Sequence, residues 1–249
     1  MNELAKQIES HLKTLQLKGI LATYREISSQ AVKARLPYEE YLALVLEQEL
    51  KRKNESSINT KVFKAKFPFA KTMEEFDFSF QPALNEKEVI KLTSCSFVEE
   101  KNNIILLGPP GVGKTHLAVA LGIKACKAKY RVLFISAQKL LEELTLAKKD
   151  GTIFAKLLAF SRLHLLIIDE LGYMPIPREQ ANLLFQLVSI RYEKASIIVT
   201  SNYNFDQWGK FFDDNVVASA IIDRLVHHAN IFFINGSSYR LKDKLKNIN

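Results

Sequence analysis

The chain has 249 residues, a length that can bury a full hydrophobic core in one extended domain or in two unequal domains. Its hydrophobic content of 47% and charged content of 25% are ordinary for a globular protein, and no apolar run approaches the ~20 residues that span a bilayer, so a membrane partner is not expected. A net charge of +8 favours a polyanionic partner, and two cysteines are too few for a disulfide framework, which favours a cytoplasmic protein with reduced core thiols.

Residues 1–66 are predicted to form a small all-helical domain that is poor in glycine. Apolar residues recur at helical spacing from Leu4 to Leu15, and Gly19 predicts a stop shortly after this first helix. A second apolar face runs as far as Pro37, which suits the first turn of a third helix. The sequence therefore predicts three helices before the first strand.

A basic stretch follows the apolar part of the third helix. It contains residues 51–53 and then Lys61, Lys64 and Lys66, with aromatic side chains such as Phe63 between them. Cationic groups interleaved with aromatics suit contacts to the phosphates of DNA. The alternative is a solvated helix face whose apolar side packs on the core.

Residues 67–85 are predicted to be a linker and entry segment. Five phenylalanines lie between positions 67 and 80, and so much aromatic surface is not left in water. We therefore expect this segment to pack on the domain that follows it.

From residue 86 onward the pattern alternates between strands and helices, which is typical of an α/β fold with a parallel sheet covered by helices. The candidate strands are near-continuous apolar runs, as expected for strands that are buried on both faces. They cover Ile104–Leu107, Val132–Ile135, Leu165–Ile168, Ile197–Thr200 and Ile231–Ile234.

The loop after the first candidate strand matches Gly-x4-Gly-Lys-[Ser/Thr], the P-loop that cradles nucleotide phosphates. Its glycines let backbone N–H groups turn toward an anion, and the helix that follows directs its positive end there. Lys114 would reach the β- and γ-phosphates of ATP, and the Thr115 hydroxyl would bind Mg²⁺. The alternative is a glycine-rich turn without a ligand. The predicted nucleotide contacts are Gly108, Pro109, Pro110, Gly111, Val112, Gly113, Lys114, Thr115 and His116.

Two acids end the third candidate strand. Because ligands of open α/β sheets sit beyond the carboxyl ends of the strands, Asp169 is expected beside the P-loop, where such an aspartate holds Mg²⁺. Glu170 is predicted to polarise the water that attacks the γ-phosphate. This second acid favours a hydrolase over a nucleotide switch.

Three further polar residues complete the predicted catalytic set. Asn202 follows the fourth candidate strand and is expected to orient the attacking water or contact the γ-phosphate; a plain turn residue is the alternative. Arg224 lies on a predicted amphipathic helix, and Arg240 follows the last strand. A lone arginine is usually a solvated charge, but an arginine from a neighbouring subunit commonly stabilises a transferring phosphoryl group.

In their order along the chain, these motifs resemble the IstB-like AAA+ ATPases. These are helper proteins encoded by insertion sequences beside a transposase, and they are related to bacterial helicase loaders. The resemblance covers essentially the whole chain, through residues 46–50, 76–80, 108–115, 169–173, 183–187, 200–202, 223–225 and 238–240.

The resemblance implies a three-layer AAA+ fold with a five-stranded parallel sheet, preceded by a small helical domain. It also implies an ATP-driven homo-oligomer that assembles on double-stranded DNA and guides a cognate transposase to its target. By position, Asn202 is similar to the sensor-1 residue, Arg224 to the arginine finger and Arg240 to the sensor-2 arginine. Asp77 and Phe78 lie where related ATPases frame the adenine.

Three functions are compatible with this sequence. The first is an ATP hydrolase that assembles on DNA and assists transposition. The second is a loader of a replicative helicase, built on the same core. The third is a nucleotide-gated DNA-binding scaffold with negligible hydrolysis, against which the presence of Glu170 and Arg224 argues.

Overall fold

A computed structural model describes residues 3–82, 84–236 and 238–239 of the chain. The chain divides into two compact units between Thr60 and Lys61. Within the described ranges, no helix is both long and apolar enough to cross a bilayer. Cys95 and Cys126 are buried free thiols, as the sequence predicts.

The first unit is built from three helices, and its small core confirms the all-helical prediction. They are α1 (Glu3–Thr14), α2 (Lys18–Ala34) and α3 (Tyr38–Lys64), the last of which extends into the second unit. The core of the first unit is formed by Ile20, Tyr24 and Val45, with partly buried side chains of α1 packed against them.

Gly19 does not end the first helix, as its position suggested, but lies in the first turn of α2. The buried carboxylate of Glu49 accepts hydrogen bonds from the N–H groups of Gly19 (2.7 Å) and Ile20 (3.1 Å). A Cβ at Gly19 would lie 2.8 Å from the carbonyl oxygen of Gln48. Glycine is therefore present because α3 approaches the backbone of α2 closely, and the acid satisfies N–H groups at the start of that helix.

The end of α3 belongs to the second unit, so the structural division falls inside this helix rather than after residue 66. Ala65 is fully buried in the core of the second unit. Its carbonyl oxygen accepts a hydrogen bond from the N–H of Phe134 at 2.8 Å. The chain is therefore tied to the edge of the sheet before the phenylalanine-rich segment begins.

The second unit is built around a five-stranded parallel sheet in the order β2-β3-β4-β1-β5. All five predicted strands are present, and each boundary lies within three residues of the predicted one. They are β1 (Asn103–Leu107), β2 (Val132–Ser136), β3 (Leu165–Leu171), β4 (Ser196–Ser201) and β5 (Ala229–Phe233).

Helices cover both faces of the sheet, which confirms the three-layer architecture. On β1, Ile104 and Leu106 join the core that contains α6, whereas Ile105 and Leu107 join the core that contains α7, α9 and α11. The helices of this unit are α4 (Glu86–Lys91), α5 (Ser96–Glu99), α6 (Lys114–Lys127), α7 (Ala137–Lys149), α8 (Ile153–Ser161), α9 (Arg178–Arg191), α10 (Phe205–Trp208) and α11 (Asn215–Val226).

The phenylalanine-rich segment is part of the second unit and packs on its core, as predicted. Phe76 is buried in the core around α6, and Phe67 and Phe78 pack against that core. Residues Phe78–Phe80 form a short 3-10 helix, and the ring of Phe80 meets that of Tyr239 edge to face. This segment therefore runs past the carboxyl end of the sheet, where β3, β4 and β1 lie side by side.

Candidate functional site

The P-loop connects β1 to α6 through three glycines with positive φ. These are Gly108 (148°), Gly111 (83°) and Gly113 (104°). A Cβ at Gly108 would lie 2.1 Å from the carbonyl oxygen of Ile234, so no larger residue fits. Gly113 directly precedes α6. The loop thus turns tightly into the N-terminus of a helix, the arrangement that binds phosphate anions.

Lys114 is the first residue of α6 and is almost fully buried. Its Nζ donates to the carbonyl oxygens of Gly108 (2.6 Å) and Pro109 (2.8 Å) and to Oδ1 of Asn202 (2.7 Å). The ammonium group is therefore fixed between the ends of β1 and β4. A phosphate that enters the loop meets a cation that is already positioned.

Asp169 lies opposite the P-loop and binds two hydroxyl groups. Its Oδ1 accepts from Thr115 Oγ1 at 3.0 Å and from Thr200 Oγ1 at 2.6 Å. A carboxylate beside a hydroxyl is a set of hard oxygen donors of the kind that Mg²⁺ prefers. The chemistry of Thr115 and Asp169 therefore fits the predicted metal ion.

Glu170 lies in a bulge of β3. Ile168 pairs with Val199 and Leu171 pairs with Ser201, so the two acids together oppose Thr200 alone. Glu170 has a φ of 60°, in the left-handed region, and its N–H donates to Thr200 Oγ1 at 2.9 Å. Its side chain is exposed and lines the cavity above the P-loop. The bulge thus sets the two acids in different environments, one buried and one open to solvent.

Thr200 is a site residue that sequence reasoning did not single out. Its hydroxyl donates to the carboxylate of Asp169 and accepts from the backbone of Glu170. The sequence holds a weak signal, since Thr200 ends the strand that leads to Asn202. Its role depends on pairing across the bulge, which the sequence does not reveal.

A cavity of about 380 Å³ joins these residues to the phenylalanine-rich segment. Polar groups of the P-loop and of the ends of β3 and β4 line it together with Pro68, Phe69, Phe80, Gln81 and Tyr239. A charged region and an aromatic region therefore share one pocket, which suits a ligand with phosphates and a flat base.

Two predicted base contacts have different surroundings. Asp77 lines the cavity, whereas Phe78 is absent from the lining among the described residues and packs on Phe76 with ring centroids 4.9 Å apart. His116 also lines the cavity, and its Nε2 lies 2.9 Å from the carbonyl oxygen of Thr72. Burial lowers the pKa of His116, which favours a neutral ring near the pocket.

Of the two predicted arginines, Arg224 does not line this pocket. Arg224 is half-buried on α11, where it donates to the carbonyl oxygen of Ala220 at 3.2 Å. Its guanidinium lies 4.6 Å from the ring centroid of Phe185. Arg240 lies outside the described residues, so its role stays a prediction.

Two solved structures have a fold similar to that of this chain. DnaA from Aquifex aeolicus, bound to AMPPCP, has a TM-score of 0.57 and 24% identity over 74% of this chain, which spans only 57% of the DnaA chain. DnaI has a TM-score of 0.54 and 23% identity over 66% of this chain and 90% of its own. At these identities the likeness concerns the fold. Together with the P-loop and the acid pair, it defines this chain as a P-loop protein of the AAA+ class.

The chain belongs to the IstB-like ATP binding protein family, whose sequence model matches residues 10–247. It is 45% identical to an ATP-binding protein of insertion sequence IS21 from Pseudomonas aeruginosa, over 96% of this chain and 91% of the relative. It is 39% identical to an ATP-binding protein of insertion sequence IS5376 from Geobacillus stearothermophilus, over 97% of this chain and 96% of the relative. The chain is therefore similar, over nearly its whole length, to ATP-binding proteins of insertion sequences.

Proposed function

We propose that this chain hydrolyses ATP, assembles through its nucleotide sites on double-stranded DNA and assists a transposase in target selection. The observation that carries the proposal is the pair of acids at the end of β3. Asp169 is buried against the Thr115 hydroxyl, while Glu170 is exposed beside the same loop. One acid is suited to hold a cation and the other to accept a proton.

The proposed reaction is in-line attack of water on the γ-phosphate. Glu170 accepts a proton from the attacking water, whose oxygen bonds to the γ-phosphorus. The bond between that phosphorus and the β,γ-bridging oxygen breaks, and ADP and phosphate are released. The protonated carboxyl then returns its proton to solvent, which is accessible at this exposed side chain.

The buried residues of the site are proposed to neutralise and orient the phosphates. Lys114 exchanges its present oxygen partners for β- and γ-phosphate oxygens, and this exchange frees the Asn202 amide to contact the water or the γ-phosphate. Thr115 and Asp169 would hold Mg²⁺, which supplies further neutralisation of phosphate charge when it is bound.

Arg224 is proposed to complete the site of a neighbouring copy of this chain. It lies outside the lining of its own cavity, and its hydrogen bond to Ala220 and its ring contact are within its own subunit. An arginine that is already oriented on a helix is suited to delivery in trans. Hydrolysis of ATP would then require that two copies of the chain have assembled. Arg240 is proposed to act as the sensor-2 arginine.

Double-stranded DNA is proposed as the partner of the basic residues of the chain. In the first unit, Lys51 and Arg52 are exposed on α3; in the second, Lys64 and Lys66 are exposed beside Phe63. Such groups bind phosphates with little preference for base sequence. The relatives are named for insertion sequences, which favours a transposase over a helicase as the protein partner.

We expect the protein to form large assemblies only when ATP and duplex DNA are both present. Each ATP site needs an arginine from a neighbour, and DNA brings neighbours together. Sedimentation velocity with each ligand alone and with both ligands together measures the size of the assembly.

Because contacts to phosphates dominate the proposed DNA binding, the affinity for duplex DNA should fall at least about tenfold between about 50 and 200 mM salt.

Arg224→Ala tests the role of this arginine in assembly, and Arg162→Ala is the matched control. Arg162 is exposed after α8, and its substitution should leave assembly unchanged. Arg224→Ala should bind ATP but should not assemble. No growth of the wild-type protein with both ligands would contradict the proposal, and co-purification of a helicase instead of a transposase would favour the loader.

Thr200→Val is expected to slow hydrolysis about 10- to 100-fold, the effect of losing hydrogen bonds to a charged group. Valine keeps the shape of threonine but cannot bond Asp169 or the backbone of Glu170. ATP affinity should stay within about threefold, and Thr200→Ser should restore the rate. Phosphate release measures the rate, and a rate unaffected by Thr200→Val would remove Thr200 from its positioning role.

A further inference from the structure

Gln81 carries a buried amide group that the proposed hydrolysis does not use. The residue is 2% exposed, and neither Oε1 nor Nε2 has a hydrogen-bond partner among the described residues. Its backbone, in contrast, is satisfied: its N–H donates to the carbonyl oxygen of Phe78, and its carbonyl oxygen accepts from Leu84. Only the side chain lacks partners.

A buried amide without partners is unfavourable, and native folds contain few of them. This one follows the 3-10 helix and lines the cavity that contains the P-loop. Gly236 leaves room for it, because a Cβ at that position would lie 2.7 Å from Gln81 Oε1. Only glycine is therefore compatible with the close approach of the chain at residue 236 to this buried polar group.

The surroundings of this amide suit a flat heterocycle. Pro68, Phe69, Phe80 and Tyr239 line the same cavity as Gln81, and the rings of Phe80 and Tyr239 meet edge to face at 5.1 Å. Lys71, Glu75 and Asp77 of the same segment also line the cavity, and its other charged groups come from the P-loop and the strand ends. A nucleotide whose phosphates occupy the P-loop therefore places its base toward this segment, where aromatic rings and the Gln81 amide are available beside charged side chains.

We infer that Gln81 recognises the adenine of ATP: its Oε1 accepts from the N6 amino group, and its Nε2 donates to N7. Glutamine pairs with adenine in this bidentate way because the N6–N7 edge offers one donor and one acceptor. Guanine offers two acceptors on that edge, so Oε1 would face O6 or N7 unpaired. The inference rests on the proposed use of the P-loop cavity for ATP and assigns base selectivity to one side chain.

The test compares nucleotide affinities of the wild-type protein and of Gln81→Leu, measured by displacement of a fluorescent ATP analogue. Wild-type protein should bind ATP about 10- to 100-fold more tightly than GTP, the range expected for one bidentate pair. In Gln81→Leu the two affinities should come within about threefold of each other, mainly through weaker ATP binding. Gln138→Leu, at an exposed position of α7, should behave like wild type.

A base analogue keeps the test independent of the folding of any variant. 7-Deaza-ATP lacks the N7 acceptor, so wild-type protein should bind it about tenfold more weakly than ATP, and Gln81→Leu should not distinguish the two. Equal wild-type affinity for ATP and 7-deaza-ATP, or full ATP selectivity in a folded Gln81→Leu protein, would overturn the role of Gln81 while leaving the ATP site intact. Absence of ATP binding by wild-type protein would overturn the site itself.

Discussion

Replacing Glu170 by glutamine is expected to lower ATP turnover at least about 100-fold, because the group proposed to accept the proton of the attacking water is removed. ATP affinity should stay within about threefold, since the P-loop and Lys114 are unchanged. The backbone bond from residue 170 to Thr200 does not involve the substituted side chain and should persist. Phosphate release reports turnover, and displacement of a fluorescent nucleotide reports binding.

Glu142→Gln is the matched control for this variant. Glu142 is an exposed acid on α7, and its substitution removes one negative charge without touching the nucleotide cavity. Turnover of this control should equal that of wild type. Undiminished hydrolysis by Glu170→Gln would show that another group accepts the proton and would end the proposed mechanism.

The second large effect is expected for Lys114→Ala, which should weaken ATP binding at least about 100-fold. The Lys114 ammonium is a buried cation at the P-loop, and its truncation removes the charge-assisted partner that this loop is proposed to offer the β- and γ-phosphates. ATP should therefore no longer raise the melting temperature, because a ligand stabilises only a protein that binds it. Calorimetry with ATP and differential scanning fluorimetry measure the two effects.

Lys127→Ala provides the comparison, because Lys127 ends the same helix with an exposed side chain. This variant should bind ATP and show the wild-type thermal shift. If Lys114→Ala bound ATP as tightly as the control does, the phosphates would not be held by this loop. The location of the whole site would then be wrong.

The sheet could be predicted from the sequence because its strands are buried on both faces. Successive strand residues, such as Ile104 and Ile105, face the two cores in turn and are apolar. Each strand therefore appears in the sequence as a continuous run of apolar residues. The P-loop could be predicted for a different reason. Gly108 and Gly113 have positive φ angles, and other parts of the chain lie so close to them that a Cβ would not fit. The backbone geometry therefore requires glycine at both positions.

Features that depend on pairing between distant segments could not be predicted. The bulge at Glu170 and the bonds of Thr200 follow from the register of β3 against β4, which no local pattern encodes. Likewise, Gln81 was indistinguishable from an ordinary polar residue of a linker until the fold buried it. The prediction that Gly19 ends the first helix is wrong for the same reason, since the tight contact of Gly19 is with α3, about thirty positions further along the chain.

The left-handed conformation of Glu170 has a consequence for how this site can evolve. A residue with a Cβ is strained at a φ of 60°, and glycine would avoid this strain. A glycine at this position would therefore raise the free energy of unfolding. That gain would remove the acid on which turnover is proposed to depend. Selection for thermal resistance and selection for activity therefore act in opposite directions at this single position.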